Sequence, residues 1–169
     1  MNYIFHYDSP CGGITLASDG VSLTGLWFDG QKYFPHKLVE ESTGADLPIF
    51  AQTCRWLDIY FGGKAPGFTP PLSLKTTPFR REVCGIMLTI PYGQTMTYGE
   101  IADIIAAKKG IEHMSAQAVG GAVGHNPISI IIPCHRVVGA DGSLTGYAGG
   151  LDKKLALLKL EGSFQNTEG

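Results

Sequence analysis

A cysteine followed directly by a histidine stands at the end of an apolar run in the second half of the chain. The run, residues 128–132, is interrupted by a single serine and leads into Pro133-Cys134-His135-Arg136. A cysteine attacks as a thiolate, and a nearby imidazole can take its proton directly or through a water. Because neighbouring residues in a chain rarely face each other, a water relay between Cys134 and His135 is favoured. The pattern predicts a nucleophilic cysteine at the exit of a rigid element.

A histidine base needs a partner that fixes its tautomer, and a buried carboxylate is the usual one. Glu161 is the candidate, because it ends a predicted helix over 152–160 and Gly162 follows as a stop signal. The residues expected to anchor this helix in the core are Leu151, Leu155 and Leu158. From the residues alone, the more ordinary interpretation of Glu161 is a solvated charge at a helix end. Likewise, most buried cysteines are inert packing residues.

Helices with clear start and stop signals precede this pair. Thr77, followed by a proline, predicts a capped helix with an apolar face formed by Phe79, Val83, Ile86 and Met87. Thr97 and Glu100 predict a capping box, and Gly110 closes the helix that they begin. A shorter helix over about 116–123 follows, so the two helices have the proportions of a helix-turn-helix.

The second helix of this pair carries unusually small side chains. Its core-facing positions are predicted to be Ala116, Val119 and Val123, and its other face to present Gln117, Ala118, Gly121 and Ala122. Two glycines in mid-helix cost about 1 kcal/mol each relative to alanine, so the sequence tolerates a local penalty. Close packing against another helix and insertion into a DNA groove both remain open here.

The first half of the chain predicts a small antiparallel sheet with one helix. Strand-like runs cover 3–7, 13–17 and 21–28, with Asp19-Gly20 as a hairpin signal. Helical spacing follows over 49–60, with Asp46 as a possible cap. A stretch rich in glycine and proline then places a boundary near Lys75. We therefore expect an α+β chain with domains at 1–75 and 76–169.

Composition narrows the class of protein. The chain has 169 residues, 44% of them hydrophobic, which supports a folded core. Its four cysteines are far apart, so neither a disulfide framework nor a metal site is predicted, and a reducing cytoplasm fits best. Neither a signal peptide nor a membrane span is predicted. With a net charge of −2, the chain lacks the excess of basic residues typical of a protein that binds phosphates electrostatically.

Motifs across the second half nevertheless resemble those of one family. They are Thr77-Pro78-Phe79, Ile90-Pro91-Tyr92-Gly93, Thr97-Tyr98-Gly99-Glu100-Ile101-Ala102, Gly121-Ala122 through Asn126-Pro127-Ile128 to Pro133-Cys134-His135-Arg136-Val137-Val138-Gly139, Gly146-Tyr147-Ala148-Gly149-Gly150-Leu151 and Leu160-Glu161-Gly162. The chain is similar to methylated-DNA protein-cysteine methyltransferases, also called O6-alkylguanine-DNA alkyltransferases. Over residues 1–75 the resemblance is loose.

The resemblance implies both a fold and a reaction. It implies an N-terminal ribonuclease-H-like sheet with a helix and a C-terminal, mainly helical domain with a winged-helix-like helix-turn-helix. A recognition helix would enter the minor groove of double-stranded DNA, and the damaged nucleotide would be flipped into a pocket. The cysteine would then take the alkyl group of O6-alkylguanine or O4-alkylthymine permanently. We expect a monomer that acts once and needs no cofactor.

The resemblance also assigns roles to residues. It makes Cys134 the alkyl acceptor, His135 the base acting through water, Glu161 its orienter and Asn126 a hydrogen-bonding brace. Tyr98 would crowd the flanking phosphate and donate a proton to the leaving base. The alkyl and base pocket would be lined by Tyr147, Leu144, Val123 and Ala148, and the DNA-contacting face by Gln117, Ala118, Gly121, Ala122 and Tyr98.

Two positions depart from the family pattern. Gln117 stands where the family commonly has an arginine that fills the gap left by the flipped base. Ala148 stands where a serine often contacts that base, so a contact there would fall to the backbone. The role of Arg136 is open between a structural ion pair with a nearby acid, such as Asp141, and a DNA contact.

Three other classes of protein share parts of this pattern. Cys134 excludes the alkyltransferase-like group, which has tryptophan at the acceptor position. A cysteine hydrolase would turn over repeatedly and need an oxyanion hole. A sequence-reading regulator would need more base-edge readout than Gln117 alone provides on its helix.

Overall fold

The N-terminal part of the protein is a four-stranded sheet covered by a helix. The computed structural model describes residues 2–163. Its first strands are β1 (Tyr3–Ser9), β2 (Gly12–Ser18), β3 (Leu23–Phe28) and β4 (Thr43–Gly44), in the spatial order β3-β2-β1-β4. β1, β2 and β3 pair antiparallel, and β4 pairs parallel to β1. The three antiparallel strands expected from the sequence are confirmed, whereas the short parallel strand β4 was not predicted.

The predicted hairpin between β2 and β3 forms at Asp19-Gly20. The Asp19 carboxylate accepts hydrogen bonds from the backbone N–H groups of Val21 and Ser22, at 3.0 and 2.9 Å. Gly20 has a φ of 108°, a conformation that a side chain would strain. Asp19 and Gly20 therefore form the tight turn that their residue types predict.

Two helices follow in this half, α1 (His36–Glu40) and α2 (Pro48–Phe61). α2 contacts β1, β2 and β3 and buries one face, formed by Ile49, Phe50, Thr53, Trp56, Leu57 and Tyr60. Asp46 does not cap it. The helix begins at Pro48 after an extended Leu47, because proline at the first helical position already has a helical φ and lacks the N–H that a cap would satisfy.

The described chain divides into two compact units. One holds the residues up to Lys75 together with Pro127–Ser129, and the other holds Thr76–Asn126 and the residues from Ile130 onward. Pro127–Ser129 joins the first unit because Leu26 of β3 donates to the carbonyl of Pro127 and accepts from the N–H of Ser129, at 2.9 and 3.0 Å. The division near Lys75 into domains 1–75 and 76–169 remains our proposal.

The second unit is mainly helical. Its helices are α3 (Pro78–Met87), α4 (Tyr98–Lys109), α5 (Ala116–Gly124) and α6 (Leu151–Leu160), and a short parallel pair joins β5 (Met96–Thr97) to β6 (Val137–Val138). A 3₁₀ turn spans Cys134–Arg136. The α+β class is therefore confirmed. No helix in the described part of the chain is long and apolar enough to cross a membrane.

The predicted helix ends in this unit are confirmed at atomic detail. Thr77 caps α3 by accepting the N–H of Arg80. Thr97 and Glu100 form the reciprocal capping box of α4, and Gly110 ends that helix in the left-handed conformation at φ 66°. These signals are read correctly because each depends on residues within four positions of one another.

The buried faces of α5 and α6 differ from the prediction. In α5 Ala122 is buried at 3% exposure, so it is not part of the exposed face, whereas Ala116 is exposed. In α6 Leu151 is 49% exposed, and the fully buried position is Lys154. The buried residues of α5 are Val119, Ala122 and Val123, and those of α6 are Lys154, Leu157 and Leu158. Val119, Val123 and Leu158 are thus buried as predicted, whereas Ala122, Lys154 and Leu157 take the remaining core positions.

Candidate active site

Cys134 lies at the start of a tightly braced turn. Pro133 has φ −82° and ψ 67°, the geometry of an inverse γ-turn, and the Cys134 N–H donates to the carbonyl of Ile132 at 2.8 Å. The same carbonyl accepts a hydrogen bond from Nδ2 of Asn126, also at 2.8 Å. Asn126 lies two residues after the end of α5. Its side chain therefore ties the end of α5 to the turn that carries the thiol.

The apolar run before this turn is buried but is not a regular strand. Ile128, Ile130 and Ile132 have no exposed surface. Ile130 has a φ of 70°, which a β-branched residue adopts only under constraint. The backbone bend at Ile130 is one that hydrophobicity alone does not reveal.

His135 and Glu161 form a short, buried hydrogen bond. Nε2 of His135 lies 2.5 Å from Oε2 of Glu161, and neither side chain has exposed surface. An ionised carboxylate only accepts hydrogen bonds, so the imidazole carries its proton on Nε2 and leaves Nδ1 as the basic nitrogen. The structure thus brings together two residues that lie 26 positions apart in the sequence.

Arg136 completes the surroundings of Glu161. Its Nε donates to Oε1 at 2.7 Å and its Nη2 to Oε2 at 3.1 Å, while Nη1 donates to the carbonyl of Ile90 at 2.7 Å. The carboxylate of Asp141 instead accepts the backbone N–H of Ser143. Arg136 thus forms a structural ion pair, as one of the two alternatives predicted, and its partner is Glu161 rather than Asp141.

The turn after α3 supplies a further donor that sequence reasoning did not assign. The Gly93 N–H donates to Oε1 of Glu161 at 3.2 Å. Gly93 has a φ of 82°, and a Cβ added there would lie 3.2 Å from the Glu161 carbonyl oxygen. Tyr92 lies beside it, with its ring centroid 5.7 Å from the Arg136 guanidinium carbon. The glycine after Pro91-Tyr92 was the available signal, since only glycine adopts this φ readily.

Burial controls the protonation states at the site. Burial raises the pKa of the Cys134 thiol, against opposing contributions from hydrogen bonding by Asn126, the charge on Lys154 and hydrogen bonding by Tyr147. Burial also lowers the pKa of His135, although Glu161 acts in the opposite direction. The resting site therefore holds a protonated thiol and a neutral imidazole. The reaction therefore needs a group that takes the thiol proton.

Two tyrosines frame the thiol from other elements. Tyr98, the first residue of α4, donates its hydroxyl to the carbonyl of Thr145 at 3.3 Å. Burial raises the pKa of Tyr98, so the hydroxyl keeps its proton at neutral pH. A Cβ on Gly120 would lie 3.9 Å from the Tyr98 ring, at ordinary van der Waals distance, so the ring lies beside α5. Tyr147 is half-buried in the loop 139–150.

The remaining predicted site residues occupy two regions. Leu144 and Ala148 are half-buried in the loop 139–150, and Val123 is buried near the end of α5. Gln117, Ala118 and Gly121 are exposed on α5, whose first turn is capped by Ser115. The structure thus gathers Asn126, Cys134, His135 and Glu161 around one turn, and places Gln117 and Ala118 on the surface. No cluster of His, Cys, Asp or Glu suited to a metal occurs in residues 2–163.

Both halves of the chain match known proteins of one kind. Residues 78–163 match the family model "6-O-methylguanine DNA methyltransferase, DNA binding domain", and residues 2–74 match the model for its ribonuclease-like domain. A methylated-DNA–protein-cysteine methyltransferase of Mycobacterium tuberculosis is 47% identical and covers 95% of this chain and 94% of its own. One of Methanosarcina acetivorans is 44% identical and covers 95% of this chain and 99% of its own.

Solved structures give the same result. The crystal structure of Mycobacterium tuberculosis OGT in complex with DNA aligns with a TM-score of 0.82 at 46% identity, covering 95% of this chain and 93% of that chain. An O6-methylguanine DNA methyltransferase from Methanococcus jannaschii aligns with a TM-score of 0.64 at 26% identity, covering 98% and 96%. Both domains, in sequence and in fold, match the same group of proteins. The chain therefore belongs to the O6-methylguanine DNA methyltransferase family.

Proposed function

We propose that Cys134, His135 and Glu161 carry out the reaction of this chain, which is the direct-reversal repair of alkylated DNA. In this proposal Cys134 takes the alkyl group from O6-alkylguanine, and from O4-alkylthymine, and keeps it. The observation that carries the proposal is the buried 2.5 Å hydrogen bond between His135 and Glu161, directly beside a buried thiol on a braced turn. That arrangement leaves a neutral imidazole nitrogen ready to accept the thiol proton.

The reaction follows from these protonation states. The thiol proton passes through a water to Nδ1 of His135, and the sulfur attacks the alkyl carbon. The carbon–oxygen bond breaks as the sulfur–carbon bond forms, and its electron pair stays with the base. Tyr98 donates the proton that neutralises the leaving base. The product is a thioether, which no group at the site can reverse, so each molecule acts once.

Glu161 has a defined part in this scheme. It accepts from His135, twice from Arg136 and once from Gly93, and these donors favour its ionised form. When His135 gains the thiol proton it becomes an imidazolium, and the adjacent carboxylate stabilises that charge. Arg136 keeps Glu161 oriented and acts through it.

DNA is the partner of this chain, and we propose that α5 contacts it in the minor groove. The support is the exposed face of small side chains formed by Ala118 and Gly121, which lets a helix backbone approach closely. Gln117 is the long side chain on that face and would fill the space left by the flipped nucleotide. Ala122 has no such role, because its side chain is buried. Tyr98 would crowd the flanking phosphate.

The alkyl group and the flipped base would occupy a pocket lined by Tyr147, Leu144, Val123 and Ala148, with Ala148 contributing its backbone. We further propose that the protein acts as a monomer in the cytoplasm. Support for a reducing compartment comes from Cys54, Cys84 and Cys134, which are thiols in the structure.

The decisive experiment uses a duplex containing a single O6-methylguanine. After incubation with excess duplex, peptide mass spectrometry should find one added methyl per protein molecule, located on Cys134. The Cys134→Ala variant should take none. The matched control is Cys54→Ala, which removes a thiol from the other unit and should leave transfer unchanged. Methylation at another residue would contradict the assignment, and repair beyond one lesion per molecule would indicate a turning-over enzyme.

A further inference from the structure

Lys154 is a buried lysine of the second unit, and no carboxylate within residues 2–163 pairs with it. It has no exposed surface, and its ammonium donates to the carbonyls of Val137, Thr145 and Gly146 at 2.6, 2.8 and 3.3 Å. Neither salt bridge found within the described residues involves it. Burial of an uncompensated charge is unfavourable, and an apolar side chain of similar length would fill the same space. The charge itself therefore calls for an explanation.

The position of Lys154 brings this charge next to the turn that carries Cys134. α6, which carries Lys154, packs against the 3₁₀ turn Cys134–Arg136, and Val137 directly follows that turn. Burial lowers the pKa of Lys154 to about 8, and a charge on Cys134 raises it. Lys154 in turn acts to lower the pKa of Cys134. With a pKa of about 8, the side chain is mostly protonated at pH 7.

The neighbouring basic groups do not provide this charge. His135 is neutral, because burial lowers its pKa. The charge of Arg136 is offset by the carboxylate of Glu161, to which it donates two hydrogen bonds. Of the basic groups that influence the pKa values of Cys134 and His135, Lys154 is thus the one whose charge no carboxylate offsets.

We propose that Lys154 is a positioning residue that holds a fixed positive charge beside Cys134 and stabilises the thiolate formed during alkyl transfer. The inference rests on the proposed role of Cys134 as acceptor. Lys154 keeps its proton throughout, while the thiol proton leaves for His135 and the electron pair of the broken carbon–oxygen bond stays with the base. The carbonyl of Thr145 also accepts the Tyr98 hydroxyl, so the same ammonium holds the acceptor that orients Tyr98.

The test measures thiol reactivity without DNA. The rate of Cys134 alkylation by iodoacetamide, followed by peptide mass spectrometry, is compared between the wild type, Lys154→Met and Lys154→Arg. The matched control is Lys159→Met on the same helix, where the lysine is exposed. At pH 7 we expect Lys154→Met to react roughly three- to tenfold more slowly, because a higher pKa of Cys134 removes thiolate but makes each remaining thiolate more nucleophilic. Lys154→Arg keeps the charge and should retain most of the rate.

The pH profile separates charge from structure. The alkylation profile of Lys154→Met should shift to higher pH, whereas a purely structural loosening of the loop would expose the thiol without that shift. A cooperatively folded Lys154→Met that reacts at the wild-type rate would overturn the proposal. So would a folded Lys154→Arg that reacts as slowly as Lys154→Met.

A second measurement decides the question if Lys154→Met does not fold. NMR of wild-type protein with ¹³C-labelled lysine, assigned with Lys154→Arg, reports whether Nζ is charged at pH 7. A protonated Lys154 supports the proposal, and a neutral amine overturns it. Because neither readout uses DNA, a wild type that takes no methyl from O6-methylguanine would refute the proposed function while these results stay interpretable.

Discussion

Replacing Glu161 by glutamine tests the centre of the site most directly. The change removes the negative charge that pairs with Arg136, which is 8% exposed, and with His135, which is fully buried. Loss of one partner of a buried ion pair costs about 3–5 kcal/mol, because the other charge stays buried without compensation. At about 2–4 °C per kcal/mol for a chain of this size, the Tm should fall by roughly 6–20 °C.

The same change should slow the reaction. A glutamine can donate from its N–H₂ group to Nε2 of His135, so the imidazole can carry its proton on Nδ1 instead. A protonated Nδ1 can no longer accept the thiol proton. Loss of a general base typically costs on the order of 10²–10⁴-fold, and we expect single-turnover methyl transfer to fall within that range. The rate is measured on a duplex with one O6-methylguanine, well below the Tm of the variant.

Two further variants complete this test. Glu112→Gln changes an exposed carboxylate between α4 and α5 and should alter neither Tm nor rate. Combining Glu161→Gln with Arg136→Met should destabilise the protein by less than the sum of the two single changes, because both remove one ion pair. A Glu161→Gln protein with wild-type Tm and wild-type rate would refute the account of this site.

Three other predictions follow from the same geometry. Gly93→Ala should lower the free energy of unfolding by about 1–2 kcal/mol in urea titrations, because φ at Gly93 is 82° and the new methyl group meets the Glu161 carbonyl. A variant as stable as the wild type would show that the turn relaxes. Gln117→Ala should slow methyl transfer from duplex DNA more than from a single strand. If the variant and the wild type react with the duplex at the same rate, the proposed gap-filling role is wrong. Because burial lowers the pKa of His135 below 6.5, the unfolded chain binds its proton first. Stability should therefore fall as the pH drops below 6.5, by up to about 1.4 kcal/mol per unit until the folded pKa is reached, and His135→Gln should flatten that dependence.

Local signals in the sequence predicted the helix ends well. The caps at Thr77 and Thr97 and the stop at Gly110 match the structure, because each is decided by residues within one helical turn. The hairpin at Asp19-Gly20 is correct for the same reason. Such features need no knowledge of what lies across the fold.

The buried faces of α5 and α6 were predicted less well. α5 is rich in alanine and glycine, so its residues differ little in hydrophobicity and its register against the core is poorly marked. In α6 only leucines were predicted as core positions, so Lys154 was missed, although it is buried and its ammonium donates to three carbonyls. Those carbonyls belong to another part of the chain, which a helical pattern cannot show.

The sequence by itself determined the order of the helices, their caps, and the neighbouring Cys134 and His135 as the place for chemistry. Only the tertiary structure decided which charges meet there. Glu161 reaches both His135 and Arg136 from 26 and 25 residues away, and Lys154 brings an ammonium held by backbone carbonyls next to the same turn. The physical reason is that a charge acts through space, so its partner is chosen by the packing of α6 rather than by spacing along the chain.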